Sequence, residues 1–78
     1  MRIRGETLRL WRNMKNLNQA GVAKTLGNTE QAYSKWERKD LINGECLERF
    51  LAAMDCTLER LFEIQKKFLP PPPPNKNL

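Results

Sequence analysis

The ionisable side chains of this chain are mostly basic, and they are unevenly distributed. The 78 residues carry 14 Lys and Arg against 9 Asp and Glu, which gives a formal net charge of +5. Residues 1–40 hold nine basic and four acidic side chains, whereas residues 41–78 hold five of each. A basic half of this kind favours binding to a polyanion, either nucleic acid or an anionic membrane surface. The same charge also promotes solubility, so charge alone leaves both interpretations open.

The residue types of the chain give little support for catalysis or for metal binding. The chain has no His, and its two cysteines, Cys46 and Cys56, do not form a C-x-x-C pair. We interpret both cysteines as small buried apolar side chains in a reducing compartment. The sequence also lacks a Gly-rich phosphate loop and a cluster of metal-binding residues. We therefore expect no catalytic residues, no metal site and no cofactor, and we do not expect an enzyme.

The sequence carries no signal for export or membrane insertion. The stretch from Met1 to Glu6 is not followed by an apolar run of signal-peptide length, and nowhere do about 18 apolar residues occur in succession. Hydrophobic residues make up 40% of the chain and charged residues 29%, as is usual for a globular domain. The sequence therefore predicts a cytoplasmic protein that does not enter a membrane.

The spacing of apolar residues predicts an all-α fold of five helices and no strand. Helices are predicted over Glu6 to Lys15, over Gln19 to Leu26, after Thr29, over Glu45 to Asp55 and after Thr57. Asn18, Thr29 and Thr57 are suitable N-caps, and Gly27 ends the second helix. All five prolines are consecutive, at positions 70–74, so the last helix must end before them. We predict one domain over residues 1–69 and an extended or disordered polyproline tail over residues 70–78.

The second and third predicted helices have the residues that a tight helix crossing requires. Such a crossing needs small residues inside the first helix and at the turn, and Ala23 and Gly27 provide them. The following helix must bury two apolar side chains one turn apart, and Tyr33 and Trp36 have this spacing. These features are typical of a helix-turn-helix, although other helical hairpins place Ala and Gly similarly.

The order of these signals resembles the lambda repressor-like family of helix-turn-helix regulators from bacteria and phages. The resemblance covers residues 6–62 and rests on Gln19, on Ala23 and Gly27, on Trp36-Glu37-Arg38 and on residues 57–62. It implies a five-helix domain that binds specific sequences in double-stranded DNA and acts as a transcriptional regulator, in particular a repressor. The chain departs from the family pattern at two places where the family usually has Gly: Lys39-Asp40 follows Trp36-Glu37-Arg38, and Asp55 precedes the last helix.

The resemblance also implies which residues contact DNA, with the third helix in the major groove. The residues it places at base edges are Glu30, Gln31, Ser34 and Lys35. Gln31 can pair with adenine, Lys35 with guanine and Glu30 with cytosine, and an ordinary solvated helix face is the alternative. Phosphate contacts are implied for Gln19, Thr29, Arg38, Lys39 and Asn43. Arg12 and Glu37 match a family ion pair, which we predict to be partly buried and bidentate.

The last predicted helix carries more apolar surface than the core of one domain needs. The surplus lies at Ile64, Phe68 and Leu69, and we expect it to pair two subunits, as is common in the family. Packing of these residues on the chain's own core is the alternative.

A second hypothesis for function is an antitoxin-like or phage accessory protein. Such a protein would bind a partner protein through its last helix and proline tail, with DNA binding secondary or lost.

Overall fold

The computed structural model describes residues 2–71, and within them the chain forms five α-helices and no strand. The helices are α1 (Gly5–Met14), α2 (Gln19–Leu26), α3 (Glu30–Arg38), α4 (Gly44–Met54) and α5 (Leu58–Phe68). The predicted five-helix, all-α fold is confirmed, although α1 and α4 each begin and end one residue earlier than predicted. None of these helices has both the length and the apolar character that a bilayer crossing needs. Residues 72–78, which make up most of the predicted tail, lie outside the described residues.

Most of the helices begin at a polar side chain that satisfies a first-turn N–H. The caps are Asn18, Thr29, Asn43 and Thr57, whose side-chain oxygens accept a hydrogen bond from the N–H three residues later at 2.7–3.1 Å. Helix α1 is different, because the Gly5 N–H donates to the carbonyl oxygen of Lys39 at 3.1 Å. The start of α1 is thus held by the residue that follows α3, which is a tertiary contact rather than a local cap.

Helix α2 ends at Gly27, which adopts the left-handed conformation with φ 76°. The N–H of Asn28 donates to the carbonyl oxygen of Ala23 at 2.8 Å, and that of Gly27 donates to Lys24 at 3.1 Å. This pair of hydrogen bonds is the Schellman arrangement, which glycine adopts at little steric cost. It turns the chain so tightly that α3 begins three residues after Gly27 and packs across α2.

Two non-glycine residues also adopt the left-handed conformation. Asn16, with φ 56°, follows α1, and Asp55, with φ 50°, ends α4. Asparagine tolerates this conformation well. Asp55 stands where the family usually has glycine, and it adopts the left-handed conformation that glycine adopts with less strain. The end of α4 is therefore retained although the residue differs from the family pattern.

Phe50 of α4 joins the helices at the centre of the core. Its ring meets Trp11 of α1 edge to face, with centroids 5.4 Å apart, and stacks on Tyr33 of α3 at 6.5 Å. Ile3 and Ile42 also lie in the core although they are outside the helices, and the Ile42 N–H donates to the Ile3 carbonyl oxygen at 2.8 Å. The segment before α1 and the loop after α3 are therefore structural parts of the domain.

Close packing fixes the start of α1 against the end of α3. A Cβ atom added at Gly5 would collide with the backbone carbonyl oxygens of Trp36 and Lys39. Only glycine lets the two backbones approach this closely. Helix α3, whose outer face is the candidate site, is thus held between α1 and α2 by backbone and side-chain contacts.

The prediction that Ile64 contributes to a subunit interface is wrong. Ile64 is only 1% exposed and belongs to the hydrophobic core, because α5 packs against α1 and turns Leu61 and Ile64 inward. Phe68, at the end of the same helix, is 52% exposed, and Leu69 is half-buried. Of the three residues predicted to pair two subunits, only Phe68 and Leu69, at the end of α5, therefore leave apolar surface exposed.

Candidate nucleic-acid interface

Helix α3 has two chemically distinct faces. Its buried side chains are Tyr33, Trp36 and Glu37. Its outer face carries the predicted base-contact residues: Glu30, Gln31 and Lys35 are exposed, and Ser34 is half-buried beside them. Within residues 2–71 these four side chains make neither a hydrogen bond nor an ion pair. An α-helix is about 10–12 Å across with its side chains, so α3 fits a groove of about 12 Å width.

The structure brings Arg12 and Glu37 together in a bidentate ion pair. Arg12 Nε donates to Glu37 Oε2 at 2.7 Å, and Nη2 donates to Oε1 at 3.2 Å. The exposed fractions of the two side chains are 12% and 3%, so the pair is largely withdrawn from water. Arg12 Nη1 also donates to the carbonyl oxygen of Leu17 at 2.9 Å. The pair therefore ties α3 both to α1 and to the link between α1 and α2.

Glu37 is held as a carboxylate despite its burial. Burial favours the neutral acid, but hydrogen bonds from Arg12 and Gln19 outweigh it and hold the pKa of Glu37 below its usual value. The hydrogen bond to Glu37 in turn raises the pKa of Arg12. Burial, assisted by the negative charge of Glu37, raises the pKa of Tyr33 well above its usual value. At neutral pH the cluster thus consists of one fixed ion pair and a neutral tyrosine, whose hydroxyl has no hydrogen-bond partner within residues 2–71.

Gln19 has a different contact from the one predicted for it. Its Nε2 donates to Glu37 Oε1 at 3.0 Å, so one of its two amide protons is committed to the buried cluster. The other amide proton and the first backbone N–H groups of α2 remain as donors at this helix start. The Gln19 to Glu37 bond was missed because the two residues lie 18 positions apart and no local pattern shows that they meet.

The other predicted phosphate-contact residues lie around the two ends of α3. Thr29 and Asn43 use a side-chain oxygen as an N-cap acceptor, which leaves the Thr29 hydroxyl proton and the Asn43 amide protons free to donate outward. Arg38 and Lys39 are exposed where α3 ends, and neither forms an ion pair within residues 2–71. Hydrogen-bond donors therefore flank the outer face of α3 on both sides.

The cysteines contribute to packing rather than to a cluster of ligands. Cys46 and Cys56 are free, and both lie against the hydrophobic core, but they are half-buried where the sequence predicted buried side chains. Burial raises the pKa of the Cys56 thiol, which keeps it protonated. Within residues 2–71 no group of three or more His, Cys, Asp or Glu side chains is placed to hold a metal ion.

Comparison with known proteins identifies the same region. A family model described as helix-turn-helix matches residues 8–61, more than half of the chain. No curated protein and no solved structure gives a significant match. The matched residues contain the Arg12 to Glu37 pair, the Ala23 and Gly27 crossing and the outer face of α3, so the match and the geometry describe one site.

Proposed function

The chain belongs to the helix-turn-helix family, of the lambda repressor-like type, and we propose that it binds specific sequences of duplex DNA through α3. The family is one of DNA-binding regulators rather than enzymes. The observation that carries the proposal is the state of the outer face of α3. Its polar side chains are exposed or half-buried and make no hydrogen bond or ion pair within residues 2–71. The inner face is held to α1 by a buried ion pair and to α2 by the hydrogen bond from Gln19 to Glu37. A rigid helix with free donors and acceptors suits the base edges of the major groove.

Gln31 and Lys35 are the proposed base-reading residues. They lie four positions apart, so their side chains emerge from the same side of the helix. Gln31 has the donor and acceptor that match adenine N6 and N7, and Lys35 has donors for guanine O6 and N7. Ser34 can support either contact, because a hydroxyl both donates and accepts. Glu30 lies at the helix start, where a carboxylate is stabilised by the dipole, and it would accept from cytosine N4.

Phosphate contacts from both ends of α3 would set the position of the helix in the groove. Arg38 and Lys39 supply positive charge at one end, and Asn43 adds an amide donor nearby. At the other end, Thr29 supplies its hydroxyl, and Gln19 lies where α2 begins. Such contacts fix the register of a helix on the duplex but do not read the sequence.

The exposed end of α5 supports a homodimer on a palindromic site. Phe68 is 52% exposed, and Leu69, which follows it, is half-buried. Pairing through Phe68 and Leu69 would remove this apolar surface from water. A dimer would place its two α3 helices about 34 Å apart, one turn of the duplex. A dimer bound across a promoter can exclude the polymerase, and on that basis we propose a repressor that acts in the cytoplasm.

Salt-dependent binding to duplex DNA tests this function. The affinity should fall by about 0.9 log units per log unit of salt for each phosphate contact, and Lys35→Ala should weaken binding. Lys15→Ala is the matched control, because Lys15 is an exposed lysine that borders a different depression, beside Arg60. Absence of duplex binding by the wild type at low salt would refute the proposal and would favour the antitoxin-like protein-binding function.

The proposed dimer is tested separately from DNA binding. Sedimentation of the wild type should show an association that depends on concentration, and Phe68→Ser should weaken it without lowering the melting temperature. A wild type that stays monomeric at concentrations where it occupies a palindromic site would contradict pairing through α5.

A further inference from the structure

A strongly basic depression lies beside α3 and extends beyond the helix-turn-helix. It has a volume of about 1170 Å³, and its basic lining, called here the basic trough, consists of Arg2, Arg4, Arg9, Arg38, Lys39 and Lys66. Gln19 and Ser34 line the same depression, so the trough is continuous with the surface proposed to face DNA. Four of the six bases come from the N-terminal segment, α1 and α5 rather than from α3 and its end.

The positive charge of the trough is largely uncompensated. The acidic residues of its lining are Glu6, Glu37 and Asp40. Glu37 is neutralised by Arg12, and Glu6 lies 2.9 Å from Arg9. The five remaining bases of the trough form no ion pair within residues 2–71. Such a concentration of free positive charge requires an anionic partner or solvent counter-ions.

The N-terminal segment holds its arginines in fixed positions. Ile3 is fully buried, and side chains alternate along an extended segment, so Arg2 and Arg4 lie on the side away from the core. Gln65 of α5 clamps the backbone on both sides of Ile3. Its Nε2 donates to the Arg2 carbonyl oxygen at 2.9 Å, and the Arg4 N–H donates to its Oε1 at 2.7 Å. The Thr7 hydroxyl donates to the same oxygen at 2.7 Å.

A hydrogen bond orients the side chain of Arg4, but no acidic side chain within residues 2–71 pairs with its charge. Arg4 Nη1 donates to the carbonyl oxygen of Pro70 at 2.6 Å, just beyond the end of α5. A carbonyl oxygen is a neutral acceptor, so the guanidinium keeps its full charge and its other N–H donors. A half-buried guanidinium that is already oriented loses less entropy when it binds an anion, and its planar donors match a phosphate.

We propose that the basic trough binds backbone phosphates of the duplex that α3 reads, with Arg4 in direct contact. The inference rests on the proposed function and extends it beyond the helix-turn-helix, to the N-terminal segment and α5. The contact would strengthen binding and fix the register of the domain on DNA, without changing which bases are selected.

The test compares Arg4→Ala with the wild type on a random-sequence duplex of about three turns, roughly 30 base pairs. Loss of one phosphate contact should make the slope of log affinity against log salt shallower by about 0.9 and lower the affinity at low salt roughly tenfold. Arg60→Ala is the matched control, because Arg60 is an exposed arginine of α5 that borders a different depression. Arg2→Ala provides a second variant, since the Arg2 side chain makes no hydrogen bond within residues 2–71 and its loss should not affect folding.

Each outcome decides the inference. A shallower slope for Arg4→Ala or Arg2→Ala supports the trough as a phosphate site. Slopes equal to that of Arg60→Ala for both variants would overturn it and leave DNA reading by α3 intact. A wild type that binds polyglutamate but no duplex at low salt would assign the trough to an acidic protein, and the proposed function would then fail as well.

Discussion

Arg12→Ala should destabilise the domain more than the loss of one surface ion pair can explain. The change removes both hydrogen bonds from Arg12 to Glu37 and leaves a carboxylate that is 3% exposed with only the bond from Gln19. Removal of one partner from a buried ion pair costs about 3–5 kcal/mol. Since the Arg12 side chain is 12% exposed, we expect the lower end, about 3 kcal/mol. For a domain of this size that corresponds to a fall in melting temperature of roughly 12–24 °C.

Circular dichroism during thermal and urea unfolding measures this loss. Arg9→Ala is the matched control, because Arg9 forms an ion pair with Glu6 in which the two side chains are 48% and 44% exposed. An exposed pair contributes at most about 1 kcal/mol, so the control should lose only a few degrees. The urea m-value should stay unchanged in both variants if the fold is retained.

Arg12→Ala could lower stability because an attraction is lost or because an unpaired charge stays buried, and a double variant distinguishes these two causes. Arg12→Met combined with Glu37→Leu removes both charges, so we expect it to be more stable than Arg12→Ala alone. The reasoning is refuted if Arg12→Ala melts within the range of the Arg9→Ala control. It is also refuted if the double variant is no more stable than Arg12→Ala.

Three further changes test other parts of the structure. The lowered pKa of Glu37 stabilises the fold above the usual carboxyl pKa of about 4.3, and this stabilisation is lost as the pH falls through the lower folded value. Glu37→Gln should therefore flatten the fall in melting temperature below about pH 4, and an acid limb as steep as that of the wild type would contradict this. Asp55→Gly should raise stability by roughly 1 kcal/mol in urea unfolding by relieving a left-handed residue, whereas a loss would show that Asp55 is not strained. Gly5→Ala should cost about 1–3 kcal/mol by overpacking α1 against the end of α3, and an unchanged urea midpoint would rule out that close approach.

The parts of the fold that depend on neighbouring residues could be predicted from the sequence. The caps Asn18 and Thr29 and the turn at Gly27 act within a few residues, so their types and positions identify the ends of α2 and the start of α3. The crossing of these helices follows from the small residue Ala23 and the buried pair that comes after the turn. The outer face of α3 could then be identified as the residues of that helix outside its predicted buried stripe.

Contacts between distant segments could not be predicted in this way. Ile3 and Ile42 lie in irregular segments, where no periodicity marks a residue as buried, yet both are in the core. The clamp of Gln65 on the N-terminal segment spans more than 60 positions and leaves no local pattern. Ile64 was misassigned because the spacing of apolar residues along α5 shows that the helix is amphipathic but does not show how far its buried face extends.

Selection of bound fragments from random-sequence duplex DNA tests the central claim most directly, which is that α3 reads bases through Gln31 and Lys35. The wild type should enrich a defined sequence, and Gln31→Ala and Lys35→Ala should each relax the selection at one base position. A good contact between a side chain and a base edge discriminates against the wrong base by about 1–3 kcal/mol, so the preference for one base at that position should fall at least severalfold. Enrichment of the same sequence by all three proteins, with equal preference at every position, would contradict the assignment of α3 as the reading helix.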